Sequence, residues 1–432
     1  MRTTKSFPLD NPEKFKKQLF AWSRQFDEVA WLDSNNYQQE NSSFDALLAV
    51  QAFTALKTDY HQAFDQLQEY QETTKDWIFG YLSYDLKNDV ERLTSQNYDG
   101  LRFPDLYFFQ PQKIIQVKGK FAEFHYLRMV DDEMDEDFAE ILDLEERGER
   151  KEERLRNQEI LPRISKEEYL VKINKMLSHI QWGDIYEANF CQEFYAENCQ
   201  IQPSVVFSKL NEISGPPFAT FLKLEQYYLL CASPERYLKK TGSKILSQPI
   251  KGTARRAENK EEDLKISHAL ANDPKEVSEN VMIVDLVRND LSKIAKKGSV
   301  QVEELCKVYS FKQVHQLIST ISAQLENGIP AVETLRATFP MGSMTGAPKI
   351  SAMKIIEELE ETKRGLYSGA VGYFTPNGDF DFNVVIRSIL YNAEDRYLSF
   401  SVGGAITTKS NPEKEYEECL LKAKAMREAL SG

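Results

Sequence analysis

Hydrophobic and polar positions divide the chain into segments with helical periodicity and segments with strand-like periodicity. The helical patterns predict helices at 11–26, 44–67, 166–182, 259–271, 274–291 and 350–359, with a last helix that opens at Glu415. Apolar or alternating segments between turn signals predict strands at 29–32, 114–117, 121–129, 185–195, 227–239, 244–250, 370–374, 382–391 and 397–407. Helices and strands are therefore mixed along the whole length.

The clearest helix start is at Ser165, where Glu168 follows three residues later in the pattern of a capping box. Ile173, Met176 and Ile180 then recur at helical spacing, so one face of this helix is expected to be buried. We interpret that face as core and not as a cofactor site.

A hairpin is predicted where Thr241-Gly242 separates the strands at 227–239 and 244–250. The first strand carries Glu235, and the second leads directly into Lys251. The hairpin therefore places a carboxyl group and an amine in the same neighbourhood.

Charged residues dominate 131–158, first acidic and then a mixture of Glu and Arg. Such a run is typical of a solvated helix or a linker. We place a boundary here, between an N-terminal part at 1–150 and a second part at 151–432 that carries the candidate chemistry.

Composition narrows the classes of function. The formal net charge is -13 and no long basic run is present, so binding to nucleic acid or to an anionic membrane surface is not expected. No segment has the length of apolar sequence that a membrane span needs, and the first residues do not resemble a signal peptide. The five cysteines form no CxxC pair, which favours free thiols in a reducing cytoplasm over a zinc site.

Lys251 is the first candidate for chemistry, because it lies between an apolar strand and a glycine, in Pro249-Ile250-Lys251-Gly252-Thr253. Arg255 and Arg256 follow closely, and cationic neighbours with desolvation lower the pKa of an amine and make it nucleophilic. An unperturbed lysine, with a pKa of about 10.4, is neutral in only about one molecule in a thousand at pH 7.5. We therefore predict a lowered pKa, with a solvated lysine at a strand end as the alternative.

Two pairs of glutamates, each spaced three residues apart, lie on separate predicted helices: Glu276 with Glu279, and Glu415 with Glu418. Glutamates from two helices can share a hard divalent cation, with water and substrate oxygens completing its coordination. The alternative is that each pair is part of a solvated helix face.

Three further features suit an anionic ligand. Gly342 to Lys349 form a glycine-bearing loop before a predicted helix, where backbone amides can bind an anion or simply begin the helix. Arg387 is flanked by apolar residues and is either an edge residue or a buried anion clamp. Gly403 and Gly404 allow a ligand to approach the backbone closely.

Six motifs in order resemble those of the chorismate-utilising enzymes, from about Ser165 to the C-terminus: Gly183-Asp184-Ile185-Tyr186, Ser233-Pro234-Glu235-Arg236, Pro249-Ile250-Lys251-Gly252-Thr253, Val284-Asp285-Leu286-Val287-Arg288-Asn289-Asp290, Gly346-Ala347-Pro348-Lys349 and Ile386-Arg387-Ser388. The resemblance implies an α+β fold, a sandwich of two large, mostly antiparallel sheets with outer helices. It implies an active site between the sheets and an N-terminal part that adds strands to them.

Within this family, a lysine at the place of Lys251 is typical of the enzymes that aminate chorismate at C4. Their product is 4-amino-4-deoxychorismate, on the route to 4-aminobenzoate and folate. Anthranilate synthase component I, the alternative, normally has alanine at this place, and the isochorismate synthases have a water-activating lysine where Glu187 stands here. The resemblance implies a transferase of the transaminase class in which the Lys251 amine attacks C2, and Glu235 moves protons. The alternative that is not an enzyme is a non-catalytic homologue that binds chorismate or a partner.

The resemblance also implies ligands and partners. Mg²⁺ is expected at Glu279 and Glu418, with Glu276 and Glu415 acting through water. Chorismate is expected to contact seven residues: Thr253, His315, Ser343, Tyr373, Arg387, Gly403 and Gly404. Ala405 follows the two glycines where relatives often have a third. No glutaminase motif is present, so ammonia is expected from a separate glutaminase subunit.

Overall fold

The computed structural model describes residues 2–37, 43–144, 159–312 and 314–431, which form the strands and helices that follow. The strands are β1 (Arg2–Pro8), β2 (Glu28–Asp33), β3 (Ala46–Thr58), β4 (Ile78–Leu82), β5 (Leu106–Lys118), β6 (Phe121–Leu127), β7 (Leu161–Pro162), β8 (Glu187–Ala196), β9 (Phe218–Leu224), β10 (Tyr227–Ser233), β11 (Arg236–Thr241), β12 (Lys244–Gln248), β13 (Ile250–Arg255), β14 (Gln301–Ser310), β15 (Val314–Gln324), β16 (Gly346–Ala347), β17 (Ala370–Phe374), β18 (Phe380–Val384), β19 (Ser388–Asn392) and β20 (Tyr397–Ile406). The helices are α1 (Pro12–Ser23), α2 (Ala63–Thr74), α3 (Lys87–Val90), α4 (Met134–Asp143), α5 (Lys166–Trp182), α6 (Pro203–Ser214), α7 (Lys260–Ala271), α8 (Pro274–Ser292), α9 (Ala331–Thr338), α10 (Lys349–Leu359) and α11 (Pro412–Leu430).

The long strand β5 joins two branches of antiparallel sheet. One edge of β5 pairs with β3, and that branch continues through β2, β9, β10, β19, β20 and β8. The other edge pairs with β4 at one end, and this second branch continues through β17, β18, β11, β12 and β15. The strand β15 also pairs with β13 and β14.

The two branches pack face to face, which is visible in the alternation of side chains along β2. Val29 and Trp31 belong to one hydrophobic cluster, which includes residues of α1, α5, α6 and α11. Ala30 and Leu32 point the other way, into a second cluster that contains residues of β4, β11, β17 and β18. This arrangement confirms the predicted α+β sandwich, because strands buried on both faces require a helical layer on one side and a second sheet on the other.

Strands from the N-terminal part belong to both branches. β2 pairs with β9, and β4 pairs with β17, so hydrogen bonds connect elements on either side of the predicted boundary near residue 150. The boundary itself falls in 145–158, outside the described residues. The described part of the charged run, residues 131–144, contains the short helix α4.

The prediction of a helix at 44–67 is wrong, because Ala46–Thr58 forms the strand β3 and the helix α2 begins only at Ala63. The first five residues of β3 are buried on both faces of the sheet. A continuous apolar run of that kind lacks a period of two and cannot be told from a buried helix by pattern alone.

The predicted strand at 382–391 is also wrong, since it is two strands, β18 and β19, separated at residues 385–387. Arg387 lies in this break with φ of 51°, a left-handed conformation that interrupts the ladder. The break matters because it turns Arg387 out of the regular side-chain alternation of a strand.

Local signals at helix ends and hairpins are confirmed. Ser165 and Glu168 form the reciprocal hydrogen bonds of a capping box, and Gly183 ends α5 with φ of 87°. β11 and β12 form the predicted hairpin about Gly242. All five cysteines are free, and no helix of the described residues is long and apolar enough to cross a membrane.

Candidate active site

Lys251 on β13 faces Glu187 and Asn189 on β8. The distance from Lys251 Nζ to Glu187 Oε1 is 3.2 Å, and the distance to Asn189 Oδ1 is 3.4 Å. The lysine side chain is 11% exposed and the glutamate side chain 1%. The amine is therefore held inside the protein. Its acceptor oxygens come from Glu187 and Asn189, which are two residues apart and so lie on the same face of β8.

Gly252 gives Lys251 this orientation. Its φ is 91°, and the register between β13 and β15 shifts between Ile250 and Thr253. A Cβ atom at Gly252 would lie 3.0 Å from Leu317 and 3.1 Å from Glu276 Oε2, so a larger residue would meet both conformational strain and crowding. Glycine at this position therefore permits the bulge next to Lys251.

The predicted lowering of the Lys251 pKa by cationic neighbours is wrong. Burial acts to lower this pKa, but the negative charges of Glu187, Glu279 and Glu235 outweigh burial and raise it. The Arg255 side chain is 80% exposed, and Arg256 is bound to Asp263 at 2.7 Å. The lysine is therefore an ammonium group among carboxylates.

Glu235, in the link between β10 and β11, is a buried carboxyl group. Burial raises its pKa to about 7, against the opposing influence of a hydrogen bond with Ser343 and of the Lys251 charge. At neutral pH the group is therefore divided between its acid and base forms, which suits proton transfer in both directions. The predicted proximity of Glu235 to Lys251 is present as an electrostatic interaction between the two groups.

Arg387 lies on the same side as Glu235. Burial lowers the pKa of its guanidinium, and the charge of Glu235 opposes that change. No hydrogen bond joins this guanidinium to another residue of the described chain. A planar donor without partners, next to a carboxyl group that is partly neutral, is well suited to bind a ligand carboxylate.

Ser343 lies in the short 3₁₀ turn Gly342–Met344, is 5% exposed and presents its hydroxyl to Glu235. Its carbonyl oxygen accepts a hydrogen bond of 2.6 Å from Asn189 Nδ2. This bond fixes the amide so that Asn189 Oδ1 faces Lys251. The glycine-bearing loop therefore contacts two residues of the site, Asn189 and Glu235, through Ser343.

His315, on β15, is buried between two partners. Its Nε2 is 3.0 Å from Asp263, and its Nδ1 is 2.8 Å from Ser310. Arg256 holds the pKa of Asp263 well below its usual range, so the carboxylate beside the imidazole is ionised. Thr253, two residues beyond Lys251, is exposed.

Tyr373 is not brought to Lys251. Its ring packs against Trp77 and Phe79, at centroid distances of 5.4 and 5.6 Å. It lines a separate small cavity with Leu32, Ser34, Ser43, Phe44, Arg236, Asp381 and Asn383. The reason is the register of β17, which pairs with β4 and directs this side chain between the N-terminal strands and β18.

The two glutamate pairs face each other from α8 and α11. Lys275 Nζ lies between them, 3.8 Å from Glu279 and 3.7 Å from Glu415. Burial raises the pKa of Glu279 to about 7, while the Lys422 charge lowers the pKa of Glu418. Two anionic helix faces are therefore held together around an ammonium group.

Gly404, on β20, borders the same group of carboxylates. A Cβ atom there would lie 3.3 Å from Glu415 Oε2 and 3.9 Å from Glu418 Oε1. Gly403, beside it, accepts a hydrogen bond of 2.8 Å from Lys422 at its carbonyl oxygen. Gly404 thus borders the acidic residues of α11, whereas Gly403 is a glycine because its Cβ position lies against the backbone of β8.

The donor atoms fit a hard divalent cation, because they are carboxylate oxygens with an excess of negative charge. Glu279 Oε1 is buried and has no hydrogen-bond partner in the described chain. No three such side chains of the described residues are close enough as they stand to form a metal site. Lys275 occupies the position between the carboxylates that a cation would share.

Sequence reasoning did not single out Asn189 or Lys275 as parts of the site. Asn189 lies two positions after Glu187 on β8, so strand alternation could have placed both on the Lys251 side. Lys275 precedes Glu276 and is four positions before Glu279, so helical spacing could have identified it as a counter-charge.

Comparison with known proteins gives one consistent family. The model of the chorismate binding enzyme family matches residues 26–428. Aminodeoxychorismate synthase component 1 of Bacillus subtilis is 30% identical over 388 residues, covering 88% of this chain and 80% of that protein. Anthranilate synthase component 1 of Thermus thermophilus is 34% identical over 362 residues, with 82% and 77% covered. The crystal structure of anthranilate synthase component I from Streptococcus pneumoniae superposes with a TM-score of 0.78 at 25% identity, covering 90% of this chain and 94% of that one.

Proposed function

The chain belongs to the chorismate binding enzyme family, and we propose that it is an aminodeoxychorismate synthase, a transferase of the transaminase class. The reaction converts chorismate and ammonia to 4-amino-4-deoxychorismate, on the route to 4-aminobenzoate and folate. The observation that carries this proposal is the buried amine of Lys251, enclosed by Glu187, Glu235 and Glu279.

The competing function is that of anthranilate synthase component I, since relatives with both names are similar to this chain. The position of Lys251 favours the first function. An amine that is buried, anchored by Gly252 and surrounded by carboxylates is placed to form a covalent bond, whereas the alanine expected in anthranilate synthases has no such chemistry.

In the proposed mechanism, the neutral Lys251 amine attacks C2 of the ring, the double bonds shift, and the C4 hydroxyl leaves. Glu235, in its protonated form, donates the proton with which the hydroxyl departs as water. Ammonia then adds at C4, the double bonds shift back, and the lysine leaves C2. Glu235 takes back a proton from the new ammonium, so the enzyme returns to its starting state.

The two carboxylates of chorismate require separate binding groups. Arg387 and the backbone amides of Gly403 and Gly404 are proposed to bind one of them, because the guanidinium forms no hydrogen bond with another described residue and Gly404 has no side chain between its backbone and the acidic residues of α11. Ser343, which hydrogen-bonds to Glu235, is proposed to contact the substrate. His315, whose ring nitrogens lie next to Asp263 and Ser310, and the exposed Thr253 are proposed as further substrate contacts. For Tyr373 the position in a separate cavity supports packing and not a substrate contact.

Mg²⁺ is proposed as the cofactor, held by Glu279 and Glu418, with Glu276 and Glu415 acting through water. When bound, it supplies positive charge for the other substrate carboxylate. Binding of the cation would require Lys275 to move from between Glu279 and Glu415. It would also require the carboxyl group of Glu279, whose pKa is raised, to ionise.

Ammonia is proposed to come from a separate glutaminase subunit, as the resemblance to the family implies. The five free thiols, four of them buried, support a reducing cytoplasm as the place of the reaction.

The test is an incubation of the protein with chorismate, Mg²⁺ and an ammonium salt, followed by chromatography and mass spectrometry. We expect 4-amino-4-deoxychorismate, which retains its enolpyruvyl group, and no pyruvate. Fluorescent anthranilate with an equal amount of pyruvate would instead establish the competing function. Binding of chorismate without turnover, with or without a glutaminase, would identify a non-catalytic homologue.

A further inference from the structure

We propose that Glu187 is the general base that takes the proton from the Lys251 ammonium and so produces the amine that attacks the ring. This inference rests on the proposed function, because it assigns a residue to its first chemical step. It concerns a side chain that the expected reaction scheme leaves without a role.

The first argument is contact. Within the described chain, Glu187 is the one carboxylate that forms an ion pair with Lys251, at 3.2 Å between Nζ and Oε1. Glu235 and Glu279 influence the lysine only through their charge. Since proton transfer needs hydrogen-bond reach, Glu187 is the carboxylate placed to accept the proton directly.

The second argument is the state of the carboxylate itself. The side chain is 1% exposed, and neither oxygen has a properly aligned hydrogen bond within the described residues. Lys251 Nζ, 3.2 Å from Oε1, is the cation that pairs with this carboxylate. A buried carboxylate normally has its lone pairs satisfied, so an exception that faces a reactive amine indicates a functional use.

The third argument is the protonation of Lys251. Three glutamates face it from different elements: Glu187 from β8, Glu235 from the link between β10 and β11, and Glu279 from α8. The ion pair with Glu187 favours the protonated amine, and even an unperturbed lysine is neutral in only about one molecule in a thousand at pH 7.5. The site therefore stabilises the unreactive form unless one of these groups removes the proton.

The proton balance closes over one turnover. Glu187 carboxylate and Lys251 ammonium become carboxylic acid and neutral amine, and the amine lone pair forms the bond to C2. Glu235 protonates the departing C4 hydroxyl, which leaves as water. When ammonia has added at C4 and the lysine is expelled, Glu187 returns its proton to the amine, and Glu235 recovers a proton from the new ammonium.

The Glu187→Gln variant separates this role from a purely electrostatic one. Removing the negative charge lowers the pKa of Lys251, so an electrostatic role predicts a variant that is as fast as the parent or faster. A general base predicts the opposite sign, with kcat at pH 7.5 lower by about 100-fold and a small change in KM for chorismate.

The pH profile gives the sharper measurement. In the parent, the pair of Glu187 and Lys251 transfers its proton internally, whereas the variant must lose the lysine proton to solvent. The ratio of variant to parent kcat is therefore expected to rise about tenfold per pH unit between pH 6 and pH 9. A ratio that is constant with pH would mean that Glu187 supports structure only and would overturn the proposal.

Two further variants guard against a folding defect. Glu187→Asp keeps a base at a longer distance and is expected to show an intermediate rate with the pH dependence of the parent. Glu193→Gln changes a buried glutamate on the same strand that binds Arg163 and Tyr397 instead, so its pH profile should match the parent.

The experiment also distinguishes this inference from the function on which it rests. Mass spectrometry after mixing the protein with chorismate and no ammonia is expected to show a ring adduct on Lys251, formed more slowly in Glu187→Gln. If the parent forms no adduct and Lys251→Ala remains active, the proposed covalent route fails. If the adduct forms equally fast in both proteins, only the role of Glu187 fails.

Discussion

Lys251 and Lys349 are both buried amines that face carboxylates, and each side chain is 11% exposed. Lys349 Nζ lies 2.5 Å from Asp290 Oδ2 and donates to Thr338 O at 3.2 Å. Lys251 makes only longer contacts, at 3.2 Å with Glu187 and 3.4 Å with Asn189. Lys349 completes a hydrogen-bonded ion pair, whereas Lys251 donates only a long hydrogen bond to Asn189, and the oxygens of Glu187 have no hydrogen-bond partner among the described residues.

Their pKa values move in opposite directions. Burial lowers the pKa of Lys349, because the Asp290 charge opposes it only in part and Lys293 adds a positive charge nearby. For Lys251, burial is outweighed by the charges of three glutamates. A search for lysines with a lowered pKa would therefore find Lys349 and not Lys251. What distinguishes the proposed catalytic lysine is the carboxylate of Glu187 beside it, whose oxygens have no hydrogen-bond partner among the described residues.

The surroundings of Lys251 and Lys349 border the same small cavity. A cavity of about 20 Å³ is lined by Glu235 and Ser343 on the side of Lys251, and by Asp290 and Thr338 on the side of Lys349. The Lys349 pair thus forms part of the rigid wall behind the proposed catalytic carboxyl group. This difference in role can be tested by changing each side in turn.

The largest effect is expected from Lys251→Ala, which removes the proposed nucleophile. We expect kcat with ammonium salts to fall by about 1,000-fold or more, and no adduct to form with chorismate. Chromatographic product assays measure the loss, and circular dichroism checks the fold. A variant as active as the parent would show that ammonia adds to the ring directly.

Lys349→Met is expected to act on stability instead. It leaves the buried Asp290 with Lys293 alone, so the free energy of unfolding should fall by about 3 kcal/mol, as measured by denaturant titration. The matched control is Lys293→Met, which removes the exposed partner of the same carboxylate and should cost less than about 1 kcal/mol. Equal losses in the two variants would contradict the structural role of Lys349.

Glu235→Gln is expected to lower kcat by about 100-fold and to change its pH dependence. Since burial raises the pKa of Glu235 to about 7, the protonated donor is present below that pH and is lost above it. The parent rate should therefore decline as the pH rises through about 7, and the variant should lack this decline. Rates between pH 5.5 and pH 9 test both statements.

Ser343→Ala sharpens that measurement. The Ser343 hydrogen bond lowers the pKa of Glu235, so its removal should raise this pKa and move the decline in kcat to higher pH. An unchanged midpoint in this variant would mean that another group controls the decline.

The smallest effect is expected from Gly404→Ala, whose Cβ would crowd Glu415 and come into contact with Glu418. We expect the apparent affinity for Mg²⁺ to weaken about tenfold, measured by titrating the metal in the activity assay and by calorimetry. Ser401→Ala, on the same strand but paired with Glu193, is the control and should leave Mg²⁺ binding unchanged. Unaltered metal affinity in Gly404→Ala would contradict the placement of the cation at α11.

Local signals in the sequence predicted a large part of the fold. The capping box at Ser165, the turn at Gly242 and the glutamate spacings on α8 and α11 depend on neighbours within a few residues, and all are present in the structure. The strand β3 was not predicted, because a strand buried between two layers loses the alternation that identifies strands.

The environment of Lys251 shows where sequence proximity misleads. Arg255 is four residues away, and in an extended strand four residues span about 13 Å. It therefore lies outside the site, where it is 80% exposed. The surroundings of Tyr373 likewise depend on more than its neighbours in sequence, because the register of β17 against β4 decides which cavity its ring lines.

The sequence by itself determined the helix caps and hairpin turns, the family motifs and the identity of the amine and carboxyl groups, because these depend on local pattern and residue type. Only the tertiary structure decided which charges surround Lys251. Glu187, Glu235 and Glu279 belong to separate elements that meet when the sheet and helix pack. Electrostatic interaction depends on distance in space, which the spacing of residues along the chain does not contain.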